Sequence, residues 1–350
     1  MTKMKALVAG GLVCGLALSG CAEIPQPSRP ELTPYERPAV REGDAGAFLT
    51  TYAEDLDEAL GDSPEALEAL QTGPLLERTR AEMLIAEKTD TTLGASDYSD
   101  VVAGGPMFKE YPLWFMAFAT PADDDESDDV QVLLVRRESA SEDWKVADAM
   151  FVPAAAQPTI LADESGAVAT APEAHTSAAD DVVAQAVQYL SSGDVPDGAP
   201  NFEDAGFKDL RDYVGELGAD DTGFSDLGVE CAPYDGMALA DHALATEGGG
   251  VSLAEIRCTI TVNVPESYFV DLGDEIEAVM TTDADGSVIS IDVAQPMLVT
   301  TEGTDVSVFS PGWFMLSSST ADGDGGESDS DGDGGESDGG EDEEAGDDDG

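Results

Sequence analysis

The chain has 350 residues, with 74 Asp and Glu against 15 Lys and Arg, a net charge of −59 at pH 7. Binding nucleic acid needs clustered bases that displace counterions from phosphate, and the few Lys and Arg here are scattered, so no nucleic-acid partner is expected. The acidity is not confined to the C-terminus, where residues 322–349 contain no base; it fits either a salt-screened source or a surface that holds divalent cations or basic envelope proteins.

Lys3 and Lys5 precede an apolar stretch, Ala6 to Leu18. It is too short to cross a bilayer as a helix and ends in small residues, which is the build of a cleaved export signal over residues 1–20. Leu18-Ser19-Gly20-Cys21 resembles the lipobox of bacterial lipoproteins. That resemblance implies a mature chain beginning at a lipidated Cys21, extracytoplasmic and anchored to the bacterial cell membrane. Membrane lipid is then a partner through Cys21, each buried methylene of the acyl chains contributing ~0.8 kcal/mol. The competing reading is an ordinary secretory signal that happens to contain a cysteine, but such a signal ends in an A-x-A-like motif. Residues 21–43 carry Pro25, Pro27, Pro30, Pro34 and Pro38, which predicts an extended spacer on the order of 60 Å long.

With Cys14 in the signal and Cys21 committed to lipid, Cys231 and Cys258 remain. A lone pair in an oxidising compartment reads as a disulfide, the alternative being two buried free thiols. No CxxC or Cys/His cluster occurs, so no metal site and no cofactor is expected.

Two α+β segments are expected next, residues 44–165 and 178–316, joined by a linker at 166–177 and followed by a disordered acidic tail at 317–350. In the first, Phe48, Tyr52, Leu56 and Leu60 form one stripe at i+4 spacing and predict a helix over Ala45 to Leu60. Ser63-Pro64 predicts a second helix, and Gly73-Pro74 separates it from a third, Leu75 to Glu87. Tyr111 to Thr120, Val130 to Arg137 and Trp144 to Val152 are aromatic and β-branched runs that predict antiparallel strands. The acid run Asp123 to Asp129 between two of them is a solvated loop or, less simply, a calcium loop.

The second segment repeats the order: helices at Asp181 to Leu190 and Phe207 to Leu217, then strands ending near Phe314. Ile256 to Val264 alternates cleanly, placing Ile256, Cys258 and Ile260 on the core face. A hairpin loop at Glu247-Gly248-Gly249-Gly250 would set Thr246 opposite Val251, Leu239 opposite Cys258 and His242 opposite Glu255, with Arg257 on the same face. Asp241 would then face the core, so either it lines a pocket or the register is displaced by one residue. A further hairpin at Asp283 to Gly286 would join strands Ile276 to Thr282 and Ser287 to Val293.

Helices followed by a curved antiparallel sheet, twice, resembles a tandem of cystatin-like or NTF2-like α+β domains. Tyr111-Pro112-Leu113-Trp114-Phe115, Trp144-Lys145-Val146 and Ala245-Thr246-Glu247-Gly248-Gly249 are similar to a family of actinobacterial lipoproteins whose shared domain has no assigned function. The resemblance spans roughly residues 45 to 315 and implies a location and an architecture, with no catalytic residue.

Catalytic motifs are lacking: no GxSxG nucleophile elbow between a strand and a helix, Walker-type loop, HExxH or strand–GxGxxG–helix is present. Of the two histidines, His175 reads as a solvated linker residue. His242, Glu255 and Asp241 are the candidate ligand-binding residues, the bland alternative being a cross-strand polar pair on a wet sheet face. In the tail, Asp329, Asp331, Asp333 and Gly334 match the opening of an EF-hand loop, but Gly340 stands where its bidentate Glu is required. These features point to a non-enzymatic binding or interaction module outside the membrane. An envelope hydrolase using dispersed carboxylates such as Asp241 with Glu255 is the alternative.

Overall fold

A computed structural model describes residues 36–41, 43–122, 128–219, 222–265, 272–283 and 286–322. Cys21, residues 123–127 and the repeats after Asp322 lie outside them, as do the expectations for lipidation, calcium and the disordered tail.

The first half begins with a two-residue strand β1 (Arg37–Pro38), helix α1 (Asp44–Leu60), a 3-10 turn at Ala66–Ala69 and helix α2 (Gly73–Thr89). Strands β2 (Tyr98–Gly104), β3 (Met107–Phe108), β4 (Leu113–Pro121), β5 (Asp129–Arg137) and β6 (Lys145–Pro153) follow. Four of them form an antiparallel sheet in the order β2-β4-β5-β6, while β1 pairs with β3. The second half repeats helices before strands: α3 (Glu173–Ser192), α4 (Lys208–Leu217), β7 (Ser225–Pro233), β8 (Leu244–Thr246), β9 (Gly249–Asn263), α5 (Asp274–Ala278), β10 (Val288–Glu302), β11 (Asp305–Phe309) and β12 (Phe314–Ala321). Its sheet is built on the long β9–β10 ladder, with β7 and β8 on the free side of β9 and β11 and β12 on the free side of β10.

The burial pattern fixes how the layers stack. Every residue from Leu113 to Ala119 is buried, which requires cover on both faces of the strand. Phe115, Ala117 and Ala119 join Leu133, Val135 and Val146 beneath Leu49 and Tyr52 of α1. Trp114, Met116 and Phe118 point the other way, into a cluster with Leu244, Val251, Leu253 and Leu298 of the second sheet. The opposite face of that second sheet, including Ile256, Ile260, Ile291 and Met297, is covered by Val183, Leu190, Leu210 and Val214 of α3 and α4. The described residues from Glu36 to Asp322 therefore form one unit of four layers, helix on sheet on sheet on helix. Each fully buried Leu, Val or Phe in these layers contributes ~1.5–3 kcal/mol.

Several expectations change. The helix after Ser63-Pro64 is only the 3-10 turn, and Ile276–Thr282 is not a strand but α5 followed by a single bridge from Met280 to Ser318. Strand β2, with its exposed polar positions, gave no period-2 signal. The expected spacer and linker are partly built into the fold. Arg37 pairs with Phe108, Ala167 bridges Gly105, Thr170 bridges Leu244, and α3 begins at Glu173. Strand β12 runs to Ala321, beyond the expected end of the segment at 316.

The β8–β9 hairpin differs by two residues. Thr246 pairs with Gly249, so the turn is Glu247-Gly248 and not a four-residue loop. Gly249 and Gly250 are strand residues because neighbours come too close for a side chain. A Cβ at Gly249 would lie 1.9 Å from the Thr301 carbonyl oxygen, and one at Gly250 2.6 Å from His175 Cγ. Cys258 faces the core as expected but is opposed by Cys231 of β7, not by Leu239, and the two form a disulfide. Replacing Cys231 and Cys258 together with serine is expected to lower the unfolding free energy by roughly 3 kcal/mol, measured by urea denaturation of the oxidised and double-variant proteins.

Candidate functional site

Helix α2 lies along the edge of the sandwich and sends Arg78 inward, where it is 1 % exposed. Its Nη2 donates to Asp148 Oδ1 of β6 and to the Ala149 carbonyl at 3.1 Å, and its Nε stands 3.5 Å from Glu255 Oε2 of β9. Asp148 and Glu255 are 0 % and 2 % exposed. Arg257 donates through Nε to Glu255 Oε1 and through Nη1 to Glu77 Oε2 at 2.8 Å, with its guanidinium 4.7 Å from the Tyr234 ring centre. The network thus ties α2 and β6 of the first half to β9 of the second. Burial raises Asp148 above its usual value and lifts Glu255 to about 7, the nearby Asp148 charge adding to the rise of Glu255, with Arg78 and Arg257 opposing both.

Beside this network a cleft of about 300 Å³ opens between α1, α2 and the first sheet. Helical spacing builds two of its walls: Tyr52, Leu56 and Leu60 from α1 at i+4 steps, and Leu75, Arg78, Thr79 and Glu82 from α2 at i+3 and i+4 steps. Tyr98, Gln131, Met150 and Phe151 come from the sheet, residues 93–96 from the loop after α2, and Pro311 and Phe314 from the second half. Phe314 also carries the Arg78 guanidinium over its ring at 5.2 Å. Gln71, 2 % exposed, donates from Nε2 to the Tyr52 hydroxyl at 3.0 Å, and burial pushes that hydroxyl up to about 12. Gln71 Oε1 and Arg78 Nη1 have no hydrogen-bond partner. Glu82 is half-buried, and burial raises its carboxyl, with Arg78 pulling the other way.

The three candidate residues do not meet. Asp241 is exposed in a 3-10 turn at Leu239–Asp241. His242 ends that turn, buried against the Trp114 ring at 5.3 Å between centres, with Nδ1 3.4 Å from the Ala238 carbonyl; burial, aided by Arg136, lowers it to about 4. Glu255 is opposed by Pro296, and its carboxyl belongs to the Arg78 network. His175 is not a solvated linker residue but a buried one on α3, its Nδ1 3.0 Å from Thr301 Oγ1 and its Nε2 3.1 Å from Ser252 Oγ, and burial lowers it. Arg78 and Asp148 were missed. Their signal was a charge where the pattern demands an apolar residue: Asp148 inside the run KVADAMFV, Arg78 on the inner stripe of α2.

Among the described residues no group of three or more His, Cys, Asp or Glu is placed to hold a metal ion. No helix of the described residues is long and apolar enough to cross a membrane. The fold and cleft define a two-sheet α+β protein with one internal charge network at the junction of its halves. Residues 36–309 match the model of a domain of unknown function, DUF8094, and the chain belongs to that family. No curated protein and no solved structure matches it.

The raised Glu255 carboxyl has a sign that can be tested. The folded state keeps this proton to higher pH than the unfolded chain, whose carboxyl titrates near 4.5, so this group's contribution to stability is lost as pH rises from there through about 7. Urea denaturation across that window at fixed ionic strength is expected to show a falling unfolding free energy, with a shallower fall in Glu255→Gln.

Proposed function

We propose that this protein is an extracytoplasmic lipoprotein, tethered at Cys21, whose folded part acts as a non-enzymatic binding module with the α1–α2 cleft as its site. The observation that carries the reading is a pair of buried polar atoms, Gln71 Oε1 and Arg78 Nη1, left unpartnered on residues that line the cleft. Each such group costs ~1–3 kcal/mol, a cost that a ligand with matching polar groups relieves. Concave, mostly apolar walls with a few polar groups are the usual form of a small-molecule site.

The hydrolase alternative finds less support. Acid–base work requires carboxyls that reach the substrate, whereas Asp148 and Glu255 are enclosed by Arg78 and neither lines the cleft. Asp241 sits on an exposed turn. The lipid anchor rests on the sequence of residues 1–21. Basic envelope proteins or divalent cations on the acidic surface remain further partners of the same module.

Two measurements test the proposal. Cys21→Ser is expected to move the chain from the detergent phase to the aqueous phase in detergent partition of cell envelopes. Native mass spectrometry of protein isolated from its own envelope is expected to show a small-molecule adduct that is lost in Ala95→Trp, where a half-buried loop residue is enlarged to fill the cleft.

A further inference from the structure

On the reading of the α1–α2 cleft as a binding site, we propose that its ligand is a small cationic amphiphile, an amine on an aromatic or alkyl body. Its ammonium is held by Glu82 and Gln71, and its apolar body lies on Tyr98 and Leu56. The argument begins with what the cleft leaves unpaired. Glu82 has no hydrogen-bond or ion-pair partner among the described residues, and Gln71 spends its amide N–H on Tyr52 while its Oε1 stays free. Both are acceptors, and an ammonium brings only donors.

Charge decides against an anion. The one cation in the cleft wall, Arg78, is already placed between Asp148 and Glu255. A carboxylate ligand would find Arg78 already engaged by two acids and would lie in a cleft that Glu82 also lines. The rest of the molecule reinforces this, because a net charge of −59 draws cations toward the surface and repels anions. Burial raises the Glu82 carboxyl against the pull of Arg78, a desolvation cost that a cation bound beside it offsets. The Tyr98 ring and the Leu56 side chain in the cleft wall suit an apolar body, the Phe314 ring being already engaged by the Arg78 guanidinium. A volume of about 300 Å³ lies at the lower end of small-molecule sites, so the ligand is small.

Isothermal titration of the full chain with three probes that share a phenyl ring separates the head groups: phenethylamine, 2-phenylethanol and 3-phenylpropionate. The amine is expected to bind roughly tenfold or more tightly than the alcohol, and the carboxylate not at all. Glu82→Gln is expected to bring the amine to the alcohol's affinity while leaving the alcohol unchanged; thermal melting monitors its folding, and Glu82→Asp, which keeps the charge, is expected to retain a preference for the amine. If amine and alcohol bind alike, or if Glu82→Gln keeps the amine preference, the ligand class is overturned, and the cleft stands provided Ala95→Trp abolishes binding. If no probe binds, or if Ala95→Trp binds all three as the unaltered chain does, the cleft reading falls as well.

Discussion

The guanidinium of Arg78 is the constraint around which the two halves are arranged. It enters from α2 at the edge of the sandwich and meets a carboxylate from each half, Asp148 of β6 and Glu255 of β9. Removing one member of such a buried set costs ~3–5 kcal/mol, because the others are left charged in a poor solvent. Replacing all of them by apolar residues of similar volume is often neutral, so such a set is weak as a source of net stability. The network holds α2 against both sheets, and the same helix, Arg78 included, lines the cleft.

The second organising element is the β9–β10 ladder. In β9, Val251 and Leu253 face the first sheet, while Ala254, Ile256, Cys258 and Ile260 face the helices α3 and α4. Small residues mark where this doubly covered region is tightest. His175 fits between Thr301 and Ser252 because Gly250 has no side chain there. The disulfide then pins β7 to the far part of the same strand, beyond the zone that the first sheet covers.

Much of this was legible in the sequence, and the failures have physical causes. The helix stripes of α1 and α2 and the apolar runs of β4, β5 and β6 were clear because their periods are local. The order of helices before strands, twice, followed from them, as did the α+β class. The β8–β9 register was misjudged because consecutive glycines look like a turn, whereas Gly249 and Gly250 answer to close approach by Thr301 and His175, contacts far apart in sequence. His175 was read as solvated because its stretch is rich in Ala, Glu and Thr, yet Ala179, Val182 and Ala186 continue its buried face along α3. The candidate site was the least legible part. Its polar groups come from α1, the turn before α2, α2 itself and the first sheet, and only the charge at Arg78 on the inner stripe of α2 hinted at it.

The continuous apolar burial of β4 has a consequence for the order in which the chain can fold. Helix α1 covers Phe115, Ala117 and Ala119 from within the first half, but the other face of the strand has no cover until the second sheet is in place. Separated from the second half, the first would present Trp114, Met116, Phe118, Val130, Val132 and Leu134 to water as one sticky surface. The halves are repeats in order but not autonomous, and during synthesis the first must wait, half-finished, for the strands that follow it by some hundred residues or more.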